Sequence, residues 1–305
     1  MKFILTIPDT KYYLWQTLVQ INNFRKMGIE QDVVYLFGYT NKVSPELNKI
    51  IRSKDLKSEF YVFKDEREKR GYAVSLSPHL FEKFCRISNI METETIFHTD
   101  PDVIFTKKMD LEKYDRDAIW YLSNTQSYLH SPYIKSKSPE LFKRMCEIVK
   151  IDPTLVEKND KNTGGAQYIL KKTNEEYWHK CYNDSEDLYK LMNETSNIYN
   201  PKHPIQKWTA SMWAFLWNAW YFGHETKVVK ELDFSWATSE ISSWDKLNIF
   251  HNAGITKVDD IHFYKAQFNV KSPFGQEIKV SDTNCGYNFV KEIRETEKNF
   301  KELIF

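Results

Sequence analysis

Apolar residues follow two alternating patterns over the first hundred residues of the chain. Short apolar runs, of the kind that form buried strands, lie at 3–7, 33–37, 60–63 and 95–98. After the first run, apolar residues recur at helical spacing from Leu14 to Phe24, and Gly28 follows as a stop signal. Further helices are predicted at 45–51 and, from a Ser77-Pro78 start signal, along 78–87, with Ile87 on the buried apolar face. This order predicts an α/β fold: a Rossmann-like, mostly parallel sheet with helices on both faces.

The second half of the chain is less regular. Its pattern predicts a strand at 118–122, a helix at 141–149 and a strand at 166–170 after a Gly164-Gly165 turn. A tryptophan-rich stretch follows at 205–222. Tryptophans at helical spacing are typical of a protein core, although aromatic faces also suit the binding of sugars and bases. Because the chain holds no Pro/Gly-rich linker, we predict a single domain, 1–305, with a ligand-binding half at 1–105 and an elaborated half at 106–305.

Charge and cysteine content narrow the class of protein. Lys and Arg number 43 against 42 Asp and Glu, a formal net charge of +1, whereas dedicated nucleic-acid binders carry a basic excess. The four cysteines are scattered without metal-ligand spacing, which is typical of reduced thiols in a non-secreted protein. The first apolar run is too short for a signal-peptide core or a membrane span. We therefore predict a cytoplasmic protein without a membrane span.

Two carboxylates follow the fourth apolar run directly, at Asp100 and Asp102. Ligands of parallel sheets bind outside the carboxyl ends of the strands. Two carboxylates separated by one residue can both ligate a hard divalent cation. Asp-x-Asp is also common by chance, and a second copy, Asp115 and Asp117, is interpreted as a solvated turn. The position at a strand end favours a metal site at the first copy.

A second motif, Phe250 to Lys257, lies about 150 residues further along and contains His-x-x-Gly-x-x-Lys. Together with the strand-terminal Asp-x-Asp, it resembles the A-type (GT-A) nucleotide-sugar glycosyltransferases, in particular the retaining transferases of the glycogenin and lipopolysaccharide-galactosyltransferase type. The resemblance implies Mn²⁺ (or Mg²⁺) held by Asp100, Asp102 and His251. It also implies close backbone approach to the donor diphosphate at Gly254.

The same resemblance assigns a lysine to the diphosphate. Lys257 occupies the motif position, but the usual Lys-Pro-Trp is absent because Val258 follows, so Lys265 is the alternative. In addition to Asp100, the resemblance implies donor contacts at the end of the first strand, in a basic run and in an Asn-x-Gly-like turn. These residues are Thr6, Pro8, Tyr12, Arg70, Gly164 and Gly165. A glycine pair before a strand is also typical of an ordinary tight turn.

The resemblance also implies a catalytic residue, from its position along the chain. In retaining relatives an Asp or Gln in the region of Gln206 lies beneath the anomeric carbon of the donor. Inverting relatives place an acidic base there. No acid occurs between Glu194 and Glu225, which favours retention. If the protein inverts, Asp233 is the first candidate base, with Glu240 and Asp245 behind it.

The resemblance therefore implies transfer of a sugar from a nucleotide donor, a UDP-sugar, to a hydroxyl acceptor. A glycan, a protein side chain and a modified nucleobase in DNA all stay open as acceptors, and charge neutrality disfavours the last. One alternative is a nucleotidyltransferase, although Pro8-Asp9-Thr10-Lys11 offers no glycine-rich loop after the first strand. The other is a non-catalytic carbohydrate-binding module.

Overall fold

The computed structural model describes residues 1–259 and 261–305 and consists of two compact units. The first unit is built from Lys2–Asp65, Thr99–Leu111 and Glu231–Phe305; the second comprises Glu66–His98 and Glu112–Lys230, with Met1 assigned to it. Each unit combines stretches that lie far apart in the sequence. The single-domain organisation, with halves at 1–105 and 106–305, stays a prediction.

Six of the ten strands in the described residues lie close to where the apolar runs predict them, and four three-residue strands were not predicted. In chain order they are β1 (Lys2–Pro8), β2 (Val33–Tyr39), β3 (Glu59–Lys64), β4 (Thr95–His98), β5 (Val103–Phe105), β6 (Trp120–Asn124), β7 (Gly164–Lys171), β8 (Thr226–Val228), β9 (Phe234–Trp236) and β10 (Ile249–His251).

The helices occupy the intervening segments. In chain order they are α1 (Lys11–Met27), α2 (Pro45–Ile51), α3 (Leu76–Cys85), α4 (Ile90–Thr93), α5 (Gln126–Leu129), α6 (Ser131–Lys137), α7 (Pro139–Val149), α8 (Pro153–Lys158), α9 (Glu175–Thr195), α10 (Ala210–Tyr221), α11 (Ser243–Lys246) and α12 (Cys285–Asn299). Among the described residues, no helix combines the length and apolar character that crossing a bilayer requires.

The first unit contains parallel strands in the order β3-β2-β1 and a small sheet in the order β5-β10-β9. Every residue of β1 from Phe3 to Ile7 is buried, which explains why all of them except Thr6 are apolar and no alternation with polar residues is seen. Helix α1 packs against β1, β5 and α12. It ends at Gly28, whose φ of 76° is the left-handed conformation that favours glycine at a helix end.

The second unit contains strands in the order β4-β7-β6-β8. Strand β7 runs antiparallel to both β4 and β6, while β6 and β8 are parallel. Helix α9 packs against both α3 and α10. Its contact with α3 is aromatic, since the rings of Phe81 and Trp178 stack with centroids 4.2 Å apart.

The mixed α/β fold, with a mostly parallel sheet flanked by helices, is confirmed. Three local predictions are wrong. Gly164 and Gly165 are the first residues of β7 and not a turn before it. Helix α3 begins at Leu76, before the expected Ser77-Pro78 start, because a short helical turn leads into it. Ile87, expected on the buried face, lies beyond the helix end and is 61% exposed.

Candidate metal centre

Strand register in the first unit brings the two distant motifs together. Strand β10 pairs antiparallel with β5, which places His251 opposite Val103. The next backbone N–H, that of Asn252, donates to the carbonyl of Asp102 at 3.0 Å. Residues separated by about 150 positions in the sequence thus become neighbours through one sheet pairing.

Asp100, Asp102 and His251 each direct one ligand atom to a common point. These atoms all lie within 4.8 Å of one another. Nε2 of His251 is 3.4 Å from Oδ1 of Asp102 and 3.6 Å from Oδ2 of Asp100, which is long for a hydrogen bond. The side chains of Asp102 and His251 are 6% and 9% exposed, whereas that of Asp100 is 56% exposed. The group is therefore closed on one side and open to incoming ligands at Asp100.

The donor set fits a divalent cation. Metal–ligand bonds of about 2.0–2.3 Å place two ligand atoms of one ion about 3–4.5 Å apart, close to the separations observed. Two carboxylates and one imidazole suit Mg²⁺ or Mn²⁺, which prefer oxygen with some nitrogen. Nδ1 of His251 is buried without a hydrogen-bond partner among the described residues, which leaves Nε2 as the nitrogen that faces the carboxylates.

Lys265 supplies a positive charge at the same carboxylate. Its ammonium donates to Oδ2 of Asp102, the oxygen that His251 does not face. Burial opposes ionisation of Asp102, yet Lys265 and then His251 lower the pKa of its carboxyl well below the usual range. Asp102 is therefore ionised at neutral pH, as a metal ligand has to be.

Two buried amides on α1 hold the acidic segment in place. Nε2 of Gln20 donates to the carbonyls of Asp100 and Val103, at 2.9 and 2.7 Å. One turn later, Asn23 exchanges two hydrogen bonds with the backbone of Phe105. Sequence analysis missed both residues. In the sequence they are two amides within a predicted helix, and only the fold shows that they are buried and which backbone groups they contact.

Strand β9 supports His251 from the other side. It pairs parallel with β10, and the indole of Trp236 stacks on the imidazole with centroids 5.5 Å apart and planes 19° apart. Gly254 follows with a φ of 92°, a conformation that L side chains rarely adopt, so this glycine is required by the backbone. Trp236 is a second residue that the sequence did not single out.

The remaining predicted donor residues of the first unit line the end of β1 and the start of α1. Thr6 is buried, and Pro8 and Tyr12 are half-buried. Burial, and then the charge of Asp102, raise the pKa of the Tyr12 phenol well above its usual value, so it stays a neutral hydrogen-bond donor. Lys257 is exposed, whereas Lys265 contacts Asp102. The structure thus places Lys265, and not Lys257, in contact with Asp102.

Asp233 belongs to the same unit and immediately precedes β9, half-buried. Its assignment as an alternative base stays a prediction.

In the second unit, the exposed Arg70 donates from Nε to the carbonyl of Arg67. Gln206 is exposed, and its backbone N–H donates to the Tyr133 hydroxyl at 3.2 Å. The roles of Arg70 and Gln206 toward a donor stay predictions.

The glycine pair in β7 has a packing explanation within its own unit. A Cβ on Gly164 would meet the Ser123 carbonyl oxygen at 2.5 Å, and one on Gly165 would meet the Tyr168 hydroxyl at 2.8 Å. Glycine is therefore needed here by neighbouring strands and side chains, whatever a ligand requires. A donor-binding role for the pair stays a prediction.

The second Asp-x-Asp copy has internal partners. Asp115 accepts a hydrogen bond from the Thr95 hydroxyl. Lys171 and then Tyr121 lower the pKa of Asp117 to about 2. Both aspartates are exposed. The two copies of one tripeptide pattern thus have different surroundings, which makes the second a natural control for the first.

No protein-family model and no curated protein sequence matches this chain. Among solved structures, the apo WbbM bifunctional glycosyltransferase is similar over 99% of this chain, with a TM-score of 0.54 and 9% identity. The chain has a glycosyltransferase fold. It spans about half of WbbM, 51% of that chain.

Two further similar structures have lower scores. Galactosyltransferase LgtC, in complex with donor and acceptor sugar analogues, has a TM-score of 0.45 at 10% identity over the whole of both chains. An active-site mutant of LgtC has a TM-score of 0.47 at 11% identity, also over the whole of both chains. At such identities the similarity shows the fold alone, and the function has to be argued from the site.

Proposed function

We propose that the protein is a metal-dependent glycosyltransferase that moves a sugar from a UDP-sugar to a hydroxyl acceptor, with retention of anomeric configuration, in the cytoplasm. The observation that carries this proposal is the convergence of Asp100, Asp102 and His251 in a chain with a glycosyltransferase fold. Because one of the three ligands comes from a distant segment, a chance Asp-x-Asp does not account for the arrangement.

Asp100, Asp102 and His251 would hold Mn²⁺ or Mg²⁺. When bound, the cation supplies Lewis-acid stabilisation of the departing diphosphate. The open side of the group at Asp100 suits the entry of phosphate oxygens, while the buried Asp102 and His251 fix the geometry. Gln20 and Asn23 keep the acidic segment rigid, so that the ligands need little rearrangement on binding.

Lys265 and Tyr12 supply the remaining polar groups of this site. Lys265 is placed to turn its ammonium from Asp102 to a nearby phosphate, which would neutralise leaving-group charge. The Tyr12 phenol, neutral at working pH, can donate to the donor nucleotide or stack on its base. Gly254 leaves the backbone open to close approach because it carries no Cβ.

Retention is proposed from the absence of an acid near Gln206 in the sequence. In a retaining mechanism the Gln206 amide would lie beneath the anomeric carbon of the donor. Asp233 would then have no role in proton transfer. An inverted product would instead direct attention to Asp233 as the base.

Donor turnover tests the proposal. The full chain is incubated with a panel of UDP-, GDP-, CMP- and ADP-sugars, with Mn²⁺ or with EDTA, and products are read by mass spectrometry. We expect slow hydrolysis of a UDP-sugar that needs the metal and falls about a hundredfold or more in Asp102→Asn. Asp115→Asn, in the second Asp-x-Asp copy, serves as the matched control and should keep full activity.

The two alternatives give different products in this assay. A nucleotidyltransferase would leave the UDP-sugars intact, and in a parallel incubation supplied with a nucleoside triphosphate and a sugar phosphate it would release pyrophosphate. A carbohydrate-binding module would turn over no donor with or without metal. Either result would replace the glycosyltransferase proposal.

A further inference from the structure

The tryptophan-rich stretch at 205–222 divides into a buried part and an exposed residue. Trp213, Trp217 and Trp220 lie on α10 with exposures of 0%, 0% and 5%, as expected of core residues at helical spacing. Trp208 precedes α10, in a short helical turn at Lys207–Thr209, and is 56% exposed. The fold therefore explains three of these indoles by packing and leaves Trp208 with its ring in solvent.

Trp208 is presented on a fixed backbone. Its carbonyl accepts a hydrogen bond from the Tyr72 hydroxyl. Two residues earlier, the Gln206 N–H donates to the Tyr133 hydroxyl, and the Gln206 carbonyl accepts from Thr209 Oγ1. A segment anchored on both sides of an exposed indole is preorganised, and preorganisation reduces the entropy that binding has to overcome.

An aromatic ring lies beside the indole, and an amide side chain is exposed two residues earlier in the chain. The ring of Tyr128 lies beside it, with centroids 5.9 Å apart and planes 41° apart. The side chain of Gln206 is exposed two residues earlier and offers both an N–H donor and a carbonyl acceptor. A pyranose ring matches this combination because one face carries C–H groups and the rim carries hydroxyls.

Two cations near this segment, Lys207 and Lys137, make contacts within the protein. The Lys207 ammonium donates to Oδ1 of Asn193 at 2.8 Å. The Lys137 ammonium lies 4.8 Å from the ring centroid of Tyr133. Nucleic-acid sites need cations that face phosphates, so these contacts favour an uncharged ligand over a polynucleotide.

We propose that Trp208 and Tyr128 form a saccharide platform that binds a neutral glycan, the acceptor of the transferred sugar. This assignment rests on the proposed function and selects the glycan from among glycan, protein side chain and modified nucleobase. The glycan stacks a pyranose face on Trp208 and places ring hydroxyls toward Gln206.

Direct binding tests the platform without any donor turnover. Lactose, N-acetyllactosamine, maltotriose and triacetylchitotriose are titrated into the full chain, followed by calorimetry and saturation-transfer NMR. We expect one of them to bind, Trp208→Ala to weaken binding roughly tenfold or more, and Trp208→Phe to retain most of it because a stacking face is kept. Tyr221→Ala removes another exposed aromatic of the same unit, at the end of α10, and should leave affinity unchanged.

UDP with Mn²⁺ is titrated into the same samples, which separates this inference from the proposed function. Equal saccharide affinity in wild type and Trp208→Ala would overturn the platform, whatever UDP does. Binding of no saccharide by wild type, or Trp208-dependent binding of an oligonucleotide with a hydroxymethylated base, would also overturn it. Trp208-dependent saccharide binding without metal-dependent UDP binding would support the platform and count against the transferase.

Discussion

Asp102 divides its two carboxylate oxygens between Lys265 and His251. Oδ2 accepts from the Lys265 ammonium, and Oδ1 lies 3.4 Å from Nε2 of the imidazole. A carboxylate shared in this way is already partly neutralised before any cation arrives. We therefore expect Lys265 to compete with a metal for Asp102, and its ammonium would be available to a phosphate once a metal had displaced it.

Removal of this competitor should tighten metal binding. We expect Lys265→Met to raise Mn²⁺ affinity roughly threefold or more in the absence of nucleotide, because a unit charge leaves the immediate neighbourhood of the site. Isothermal titration with Mn²⁺ measures it. The exposed Lys257, changed to Met, is the control and should bind metal as wild type does. Weaker Mn²⁺ binding by Lys265→Met would show that the lysine supports the site instead.

The same two variants decide which lysine serves the diphosphate. Sequence pattern favoured Lys257 and kept Lys265 as the alternative, while the structure brings only Lys265 of the two to Asp102. With Mn²⁺ saturating, we expect Lys265→Met to weaken UDP binding about tenfold and Lys257→Met to change it little. Fluorescence titration with UDP measures both. The opposite order would return the motif lysine to its expected role.

Substitutions of Gln20 and Asn23 should distinguish an effect on stability alone from an effect on metal binding. Each side chain hydrogen-bonds two backbone groups that are buried or partly buried, so Gln20→Met and Asn23→Leu should both lower the free energy of unfolding by about 2–4 kcal/mol. Urea unfolding measures this loss. Only Gln20 holds the carbonyl of Asp100, so only Gln20→Met should also weaken Mn²⁺ binding. Equal loss of metal affinity in both variants would assign the effect to general loosening of the unit.

Substitution of Gly164 in β7 tests whether this glycine is required for packing or for ligand binding. A Cβ there would lie 2.5 Å from the Ser123 carbonyl oxygen and 2.6 Å from Leu122 Cβ. We expect Gly164→Ala to cost about 1–3 kcal/mol or more through overpacking, seen in urea unfolding. Gly223→Ala is the comparison, since that site has open space and only its φ of 82° opposes a side chain. A Gly164→Ala protein of unchanged stability that fails to bind UDP would support the donor-binding assignment.

His224 should make the second unit sensitive to mild acid. Its ring stacks on Trp120 with centroids 4.4 Å apart, and burial lowers the pKa of the imidazole. The unfolded chain therefore takes up the proton more readily, so stability is complete above the unfolded pKa of about 6.5 and falls as the pH drops below it. Urea unfolding at about pH 7.5 and about pH 5.5 should show a larger loss in wild type than in His224→Phe. An identical loss would remove His224 as the cause.

The elements that sequence predicted well are those whose signals are local. Helix α1 begins and ends where spacing and Gly28 place it, and β1 follows from an uninterrupted apolar run. The start of α3 was wrong because the short turn at Ala73–Ser75 carries no start signal of its own. Gly164 and Gly165 were assigned to a turn because sequence does not show that neighbouring strands leave no room for a Cβ.

The convergence of Asp100, Asp102 and His251 could be predicted from the sequence because motif residues indicate their chemistry directly, whereas the residues that support them could not. Trp236 reaches His251 through the pairing of β9 with β10, and Gln20 reaches Asp100 through the packing of α1. Neither contact leaves a trace at a fixed sequence spacing. Trp208 looked like its neighbours in the sequence, and only solvent exposure in the fold distinguishes it from them.

The central claim is that Asp100, Asp102 and His251 bind one divalent cation that in turn binds UDP. Calorimetric titration of Mn²⁺ and then UDP into wild type, Asp102→Ala, His251→Ala and Asp115→Asn tests it most directly. We expect wild type and Asp115→Asn to bind Mn²⁺ and to bind UDP only in its presence. Asp102→Ala and His251→Ala should lose at least about tenfold in metal affinity and the metal-dependent UDP binding with it. Equal UDP affinity with and without Mn²⁺ in all four proteins would contradict the account.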